Sequence, residues 1–240
     1  MVVFIDYNKL TENIGIFKHY VLSNEEKRGV HSDTFSFTEP GSWLYDQEYY
    51  KYQVYTKTFS TMDYMTWEEK EIGSGRIAKS VQKAVNCCGN DNNLINRYNK
   101  MHFNNQYTDQ TDFIALDRAF FDLYCGNDDQ KAFNKLTEIF GRRYDIIAFL
   151  FFIRNPDIYL PISPDNFDKG FERLGIRFST SHNCSWNNYS AYNEIFREIQ
   201  AVLNESLPLR TPASLLDTHS FVWIVSHDFY GWTPDAQQNQ

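Results

Sequence analysis

The stretch that decides the fold class is Ser185-Trp-Asn-Asn-Tyr-Ser-Ala-Tyr-Asn-Glu-Ile-Phe-Arg-Glu-Ile-Gln-Ala-Val-Leu203. Its apolar side chains recur every three or four residues, at Tyr189, Tyr192, Ile195, Phe196, Ile199, Val202 and Leu203. This spacing places them on one face of an α-helix and leaves the opposite face polar. The stretch therefore predicts a long amphipathic helix that packs against other helices.

Five further helices are predicted from residue 113 onward and from the same kind of pattern. They cover residues 113–124, a segment capped by Asp128 or Asp129 and stopped by Gly141, residues 144–153, a segment opened by Ser163-Pro164, and a last one opened by Thr211-Pro212. Residues 144–153 are apolar on nearly every side, which is typical of a central helix. We therefore predict a mainly α (α+β) fold with a helical, bundle-like core.

A small antiparallel β element is predicted near the N-terminus. Aromatic and β-branched residues are frequent between residues 34 and 59, above all in Tyr49-Tyr-Lys-Tyr-Gln-Val-Tyr-Thr-Lys-Thr-Phe59. We expect a β-hairpin and helix region over residues 1–88, a polar loop over 89–112, a helical domain over 113–232 and a polar tail over 233–240. Whether the two regions form one domain overall is left open.

Composition limits the classes of function. The chain has 42% hydrophobic and 17% aromatic residues, and its formal net charge is −8. A negative chain does not attract nucleic acid over its whole surface, so any such contact has to be local. The start lacks the pattern of a signal peptide, and the longest apolar stretch, residues 146–153, is too short to cross a bilayer. We expect a cytoplasmic protein without membrane contact.

One window suggests a local contact with phosphate. Gly73-Ser74-Gly75 precedes a helical pattern whose polar face carries Arg76, Lys79 and Lys83. The N-terminus of a helix favours anions, and glycines let a ligand approach the backbone. We predict a nucleic-acid site on these residues, with Trp67 near a base. The alternative is an ordinary turn before a solvated helix.

Two short stretches of the sequence also allow an interpretation as metal sites. Glu68-Glu-Lys70, with Asp46 or Asp63 as an upstream acid, matches the spacing of a Mg²⁺-dependent PD-(D/E)xK nuclease, but it also fits a surface turn. His182 and Cys184 fit either a metal site or a loop that leads into the next helix. The pattern around His219 favours a core histidine.

Several short motifs follow one another along the chain: Trp67 with Ile72-Gly-Ser-Gly75, Ile139-Phe-Gly-Arg142 with Tyr144, Tyr159-Leu-Pro-Ile-Ser163, Leu174-Gly-Ile176, Ser185-Trp-Asn-Asn-Tyr189, and Leu215-Leu-Asp-Thr-His-Ser-Phe221 with Trp223. In this order they resemble the non-catalytic N-terminal region of bacterial HNH-endonuclease proteins of restriction and anti-phage defence. The resemblance implies a recognition module that directs a nuclease. We expect no HNH domain to accompany this region, because the sequence reaches a polar tail after Trp232. Cleavage is therefore not carried over.

The sequence thus predicts a non-catalytic module that senses DNA, such as modified or foreign DNA, in a defence system. It assigns no catalytic residue, no metal ligand and no cofactor. The first alternative is an acidic protein-interaction module, such as an inhibitor or accessory subunit of a nuclease or effector protein. The second alternative is the Mg²⁺ nuclease.

Overall fold

Helices dominate the residues that the computed structural model describes, which are 3–89, 92–108 and 113–227. Within them are α1 (Tyr7–Lys27), α2 (Trp43–Glu48), α3 (Tyr50–Met62), α4 (Arg76–Asn86), α5 (Arg97–Thr108), α6 (Ile114–Cys125), α7 (Asp129–Phe140), α8 (Tyr144–Arg154), α9 (Pro164–Arg173), α10 (Trp186–Ser206) and α11 (Leu215–His227). Single 3₁₀ turns lie at Tyr64–Thr66 and Glu69–Glu71. Strands β1 (Phe4–Ile5) and β2 (Ile176–Arg177) pair antiparallel. The predicted mainly α fold with a small antiparallel sheet is confirmed.

The predicted strand at residues 49–59 is wrong, because this segment forms α3. Its buried positions are Lys51, Val54, Thr58 and Met62, which are three or four residues apart. Tyr, Val and Thr have high β propensity, but burial of one helical face outweighs so weak a preference. The small sheet is instead made by β1 and β2, far apart in the sequence.

The polar stretch 89–112 is not a continuous loop, since Arg97–Thr108 forms α5. Phe103 is fully buried and supplies the apolar anchor of this otherwise polar helix. The predicted tail at 233–240 lies outside the described residues.

The last helix begins later than predicted. The sequence favoured a start at Thr211-Pro212, whereas α11 starts at Leu215. Ser214 and Asp217 cap it reciprocally: the Asp217 amide donates to Ser214 Oγ (3.1 Å), and the Ser214 amide donates to Asp217 Oδ2 (2.9 Å). Two satisfied N–H groups make this serine a better start than the proline.

The chain divides into two compact units, each made of separate stretches. Unit 1 comprises the described residues of Met1–Tyr50, Pro164–Asn183 and Ser190–Gln240. In this unit α1 buries Leu10, Ile14, Phe17 and Val21 on one face, and the ring of Phe17 meets that of Phe221 in α11 edge-on at 4.9 Å. A helical core of aromatic and aliphatic side chains therefore holds unit 1 together.

Unit 2 comprises Lys51–Ser163 and Cys184–Tyr189, bounds that differ from those of the predicted regions. Its centre is α8, in which every residue from Tyr144 to Ile153 is buried, as predicted. Helices α5, α6 and α7 contact α8. Unit 2 is thus a small bundle around one apolar helix, and it contains every residue of the predicted nucleic-acid site.

Candidate nucleic-acid interface

Helix α4 has the two faces that the sequence predicts. Its buried side consists of Ile77, Ala78, Val81, Ala84 and Val85. Arg76, Lys79 and Lys83 are exposed on the opposite side. The helix therefore presents three basic side chains to solvent.

The anion site at the start of α4 is filled by a carboxylate of the protein itself. Asp117 is fully buried, and its Oδ2 accepts the amide hydrogens of Gly73 (2.9 Å) and Gly75 (2.8 Å). Its Oδ1 accepts the amide hydrogen of Ala78 (2.8 Å). A phosphate has no access to these amides while Asp117 holds them. The anion at the start of α4 is therefore a side chain of the protein itself.

The shape of the Gly73-Ser74-Gly75 turn follows from the same packing. Gly75 has a φ of 77°, and a Cβ added there would lie 2.8 Å from the ring of Phe113. Ser74 Oγ donates to the carbonyl of Glu71 (2.6 Å) and accepts from the amide of Arg76 (3.2 Å). The glycine serves a left-handed turn under an aromatic ring, and the serine closes the helix start. This geometry supports the ordinary-turn alternative for these residues.

Two of the predicted contact side chains already have partners within the protein. Arg76 forms an ion pair with Glu71. Trp67 is only 8% exposed and packs edge-on against the ring of Tyr124 at 5.8 Å. A buried ring offers no face to a base, so we leave Trp67 out of the proposed interface.

Lys79 and Lys83 are better placed for an external anion. The ammonium group of Lys79 lies 5.3 Å from the centroid of Phe113, an arrangement that keeps the charge at the surface. Lys83 is exposed one turn further along α4.

Helix α5 adds basic and aromatic groups that the sequence analysis does not assign to the site. Arg97 is exposed, and the ring of Tyr98 is 76% exposed. Lys100 Nζ donates to the carbonyl of Gly89 (2.8 Å), and burial lowers its pKa. The sequence does contain two basic residues on either side of a tyrosine. The many asparagines around them are more typical of a loop, so a helix was not predicted there.

Side-chain hydrogen bonds join α4 and α5 at one point. Asn86 Nδ2 donates to Asn104 Oδ1 (2.8 Å), and Asn104 Nδ2 donates back to Asn86 Oδ1 (3.1 Å). Lys83 lies one turn from Asn86, and Lys100 lies one turn from Asn104. One basic side chain of each helix therefore lies within a turn of this contact between α4 and α5.

The residues of the nuclease interpretation are paired on 3₁₀ turns. Lys70 contacts Glu68 (2.7 Å), and Arg118 contacts Glu69 (2.8 Å). Asp46 belongs to unit 1, where it pairs with Arg28. In the described parts of the chain, no three His, Cys, Asp or Glu side chains are grouped as a metal ion would require.

The two histidines differ as the sequence suggested. His182 is exposed in a turn with a φ of 63°. His219 is 2% exposed, and its ring lies 4.6 Å from that of Phe167. The predicted core position of His219 is confirmed.

No protein-family model, curated protein or solved structure matches this chain. The resemblance to HNH-associated proteins and the role it implies therefore stay predictions. Among the residues described, no helix is both long and apolar enough to cross a membrane.

Proposed function

We propose that this protein binds DNA without cleaving it, through the exposed side of α4 and α5 in unit 2. We call this the α4–α5 surface and define it by Lys79, Lys83, Arg97, Tyr98 and Lys100. Recognition of modified or foreign DNA in a defence system is the role that the resemblance implies, and it forms part of the proposal.

One observation carries the proposal: α4 and α5 have a local excess of positive charge in a unit that is neutral overall. Unit 2 contains 14 Lys and Arg and 14 Asp and Glu, so its formal net charge is zero. Helices α4 and α5 together contain five Lys and Arg and no Asp or Glu. Phosphate contacts need such a local excess of cations.

Tyr98 supplies a second kind of contact. A ring that is 76% exposed beside Arg97 is free to stack on an unpaired or extruded base. The α4–α5 surface therefore combines groups for the backbone with a group for a base.

Fluorescence anisotropy with labelled duplexes tests the proposal, with plain and base-modified DNA across a salt series and with or without Mg²⁺. Four basic side chains on phosphates predict a slope of log K against log salt of about −3 to −4. The triple variant Lys79→Glu/Lys83→Glu/Arg97→Glu should weaken binding at least about tenfold and flatten this slope. Unchanged affinity in the variant would refute the surface.

A matched control separates this surface from overall charge. Lys18→Glu/Lys27→Glu/Lys169→Glu changes the net charge by the same amount, but all three positions lie in unit 1. We expect it to bind nearly like the unchanged protein. An equal loss in both variants would mean that only total charge matters.

The charge of unit 1 favours a second candidate, an acidic module that binds a basic protein. Unit 1 contains 9 Lys and Arg and 17 Asp and Glu, so it holds the whole net charge of −8. Such a surface can imitate the charge of nucleic acid toward a nuclease or effector. Absence of DNA binding at low salt, together with a stable complex recovered with a nuclease, would favour this candidate.

A further inference from the structure

A basic cavity opens at the end of α7, outside the residues of the α4–α5 surface. Its volume is about 400 Å³, and it is lined by His102, Ile139, Phe140, Gly141, Arg142 and Arg143. Among these described lining residues three are basic and none is acidic. The cavity is therefore suited to an anion.

Arg143 is incompletely satisfied in this cavity. Its Nη1 donates to Asn99 Oδ1 (2.9 Å), whereas its Nε is buried and meets no acceptor among the described residues. A buried N–H without a partner costs free energy, and an arginine has its donors arranged to fit two oxygens of one phosphate. A phosphate that accepts a hydrogen bond from this N–H would relieve that cost.

The other two basic side chains also retain donor capacity. Arg142 is exposed, and its Nη2 makes one long contact of 3.4 Å to the carbonyl of Cys184. His102 Nε2 lies 3.5 Å from Gln106 Nε2. Burial, and then the charge of Arg143, lower the pKa of His102. The positive charge of Arg143 thus reaches this ring.

We propose that this cavity binds the phosphate of a nucleotide, with Arg142 and Arg143 on its oxygens and Ile139 against the attached nucleoside. A volume of about 400 Å³ exceeds that of a phosphate ion and falls within the usual range of small-molecule sites, about 300–1,000 Å³. The phosphate comes from the 5′ end of a DNA strand or from a free nucleotide. For a strand end the inference rests on the proposed function, because His102 shares α5 with Arg97 and Lys100.

The test compares one labelled oligonucleotide with and without a 5′-phosphate, and adds adenosine monophosphate as the free nucleotide. The 5′-phosphate should raise affinity about tenfold, which corresponds to one well-placed charged contact. Arg142→Gln and Arg143→Gln should each remove that gain and leave binding of the unphosphorylated strand unchanged. Arg118→Gln, an exposed arginine paired with Glu69 in the same unit, is the matched control.

A direct readout covers the case in which Arg143→Gln fails to fold. In ¹⁵N NMR of the unchanged protein, adenosine monophosphate should shift the Nε–H signal of Arg143 and leave that of Arg118 in place. If adenosine monophosphate shifts the Arg143 signal but the 5′-phosphate does not raise the affinity of the strand, the cavity binds free nucleotides. If the 5′-phosphate raises that affinity, the cavity binds the end of a DNA strand. No 5′-phosphate gain and no Arg143 shift would overturn the inference.

The outcomes separate this inference from the proposed function. If the unphosphorylated strand binds in a salt-dependent way, but the 5′-phosphate does not raise affinity and the Arg143 signal does not shift, the α4–α5 surface is supported and the phosphate site in the cavity is rejected. If adenosine monophosphate shifts the Arg143 signal but the protein binds no DNA, the phosphate site in the cavity is supported and the proposed DNA binding is rejected.

Discussion

At the scale of single residues, Asp117 is the side chain on which the start of α4 depends. Its carboxylate accepts three backbone N–H groups of the glycine-rich turn and the first helical turn. Hydrogen bonds to a charged group are each stronger than neutral ones, and buried N–H groups that lose their acceptor incur a further cost. The side chain thus acts as a cap supplied by another helix.

Asp117→Ala should lower the free energy of unfolding by about 3 kcal/mol, because three N–H groups lose their acceptor together. The measurement is urea unfolding combined with hydrogen exchange, in which the amides of Gly75 and Ala78 should lose protection first. Asp122→Ala, on the same helix, breaks a contact of 3.8 Å with the exposed Lys131 and should cost less than about 1 kcal/mol. Equal costs for the two variants would contradict the role of Asp117.

Asp168 gives unit 1 a dependence on pH. Burial raises the pKa of this carboxyl group, but hydrogen bonds from Thr180, Ser179 and Ser181 outweigh that effect and bring the pKa below 3.8. A carboxyl group with a lowered pKa in the folded state stabilises the fold above its ordinary pKa, and the stabilisation disappears as pH falls through the folded value.

Asp168→Asn should therefore destabilise the protein by about 1–2 kcal/mol at pH 7, with the difference shrinking below about pH 4. Chemical denaturation at pH 7 and pH 3 measures it. Asp165→Asn is the control, because Asp165 accepts only the Ser181 hydroxyl of the same loop (2.8 Å) and should cost less. A difference that persists unchanged at pH 3 would rule out the charge as its cause.

The candidate interface could be predicted only as far as local patterns reach. The exposed position of Lys79 and Lys83 follows from helical spacing within α4. The acceptor of the Gly75 amide is 42 residues away, and no local signal connects Gly75 with Asp117. Trp67 shows the same limit, since burial against Tyr124 is a long-range contact.

At the scale of elements, the close packing of α9 and α11 depends on a small residue. A Cβ added to Gly170 in α9 would lie 2.8 Å from Val222 Cγ1 and 3.1 Å from the carbonyl oxygen of Val222. The backbone oxygen has little freedom to retreat. The two helices approach each other here because glycine has no side chain.

Gly170→Ala should destabilise unit 1 by about 1–3 kcal/mol, since overpacking outweighs the gain in helix propensity. Gly15→Ala provides the reverse case, because Gly15 lies in α1 and an added Cβ meets nothing within 4 Å. That substitution should stabilise by about 0.5–1 kcal/mol. Thermal or urea unfolding measures the stability of both variants. A stabilising effect of Gly170→Ala would contradict the close approach of α9 to α11 at this glycine.

The elements that were predicted best have both a periodic face and a terminal signal. α7 follows an Asp128 side chain that accepts the Lys131 amide (2.9 Å), and it ends at Gly141 with a φ of 68°. The segment of α3 was assigned to a strand because its residue types favour β structure, and α5 was missed because asparagine favours loops. In both helices tertiary packing, through Val54 and Phe103, decides against local preference.

At the scale of the whole molecule, the chain builds each unit from stretches that are separate in sequence. Unit 2 is completed by six residues, Cys184–Tyr189, that follow twenty residues of unit 1. Trp186 and Tyr189 pack against Phe133 at 6.0 and 5.7 Å between ring centroids, and the Tyr189 hydroxyl donates to the carbonyl of Leu160 (2.8 Å). The sequence offers no local sign of this return, so it could not be predicted.

A fragment of residues 51–163 should therefore lack a uniquely packed core, although it contains most of unit 2. Without Trp186 and Tyr189, the aromatic side chains of α7 and α8 lose large partners, and a loosely packed state with exposed apolar surface is expected. The measurements are binding of the dye ANS and the cooperativity of urea unfolding.

Residues 51–189 form the comparison fragment, and we expect it to unfold cooperatively, although α9 in this fragment lacks α11 and adds dye binding of its own. A third fragment of the same length, with Gly and Ser in place of residues 184–189, separates packing from chain length and should behave like 51–163. Cooperative unfolding of 51–163 without dye binding would show that the core of unit 2 closes without the returning segment. If only the 51–189 fragment unfolds cooperatively, residues 184–189 complete unit 2 through the aromatic rings that they contribute.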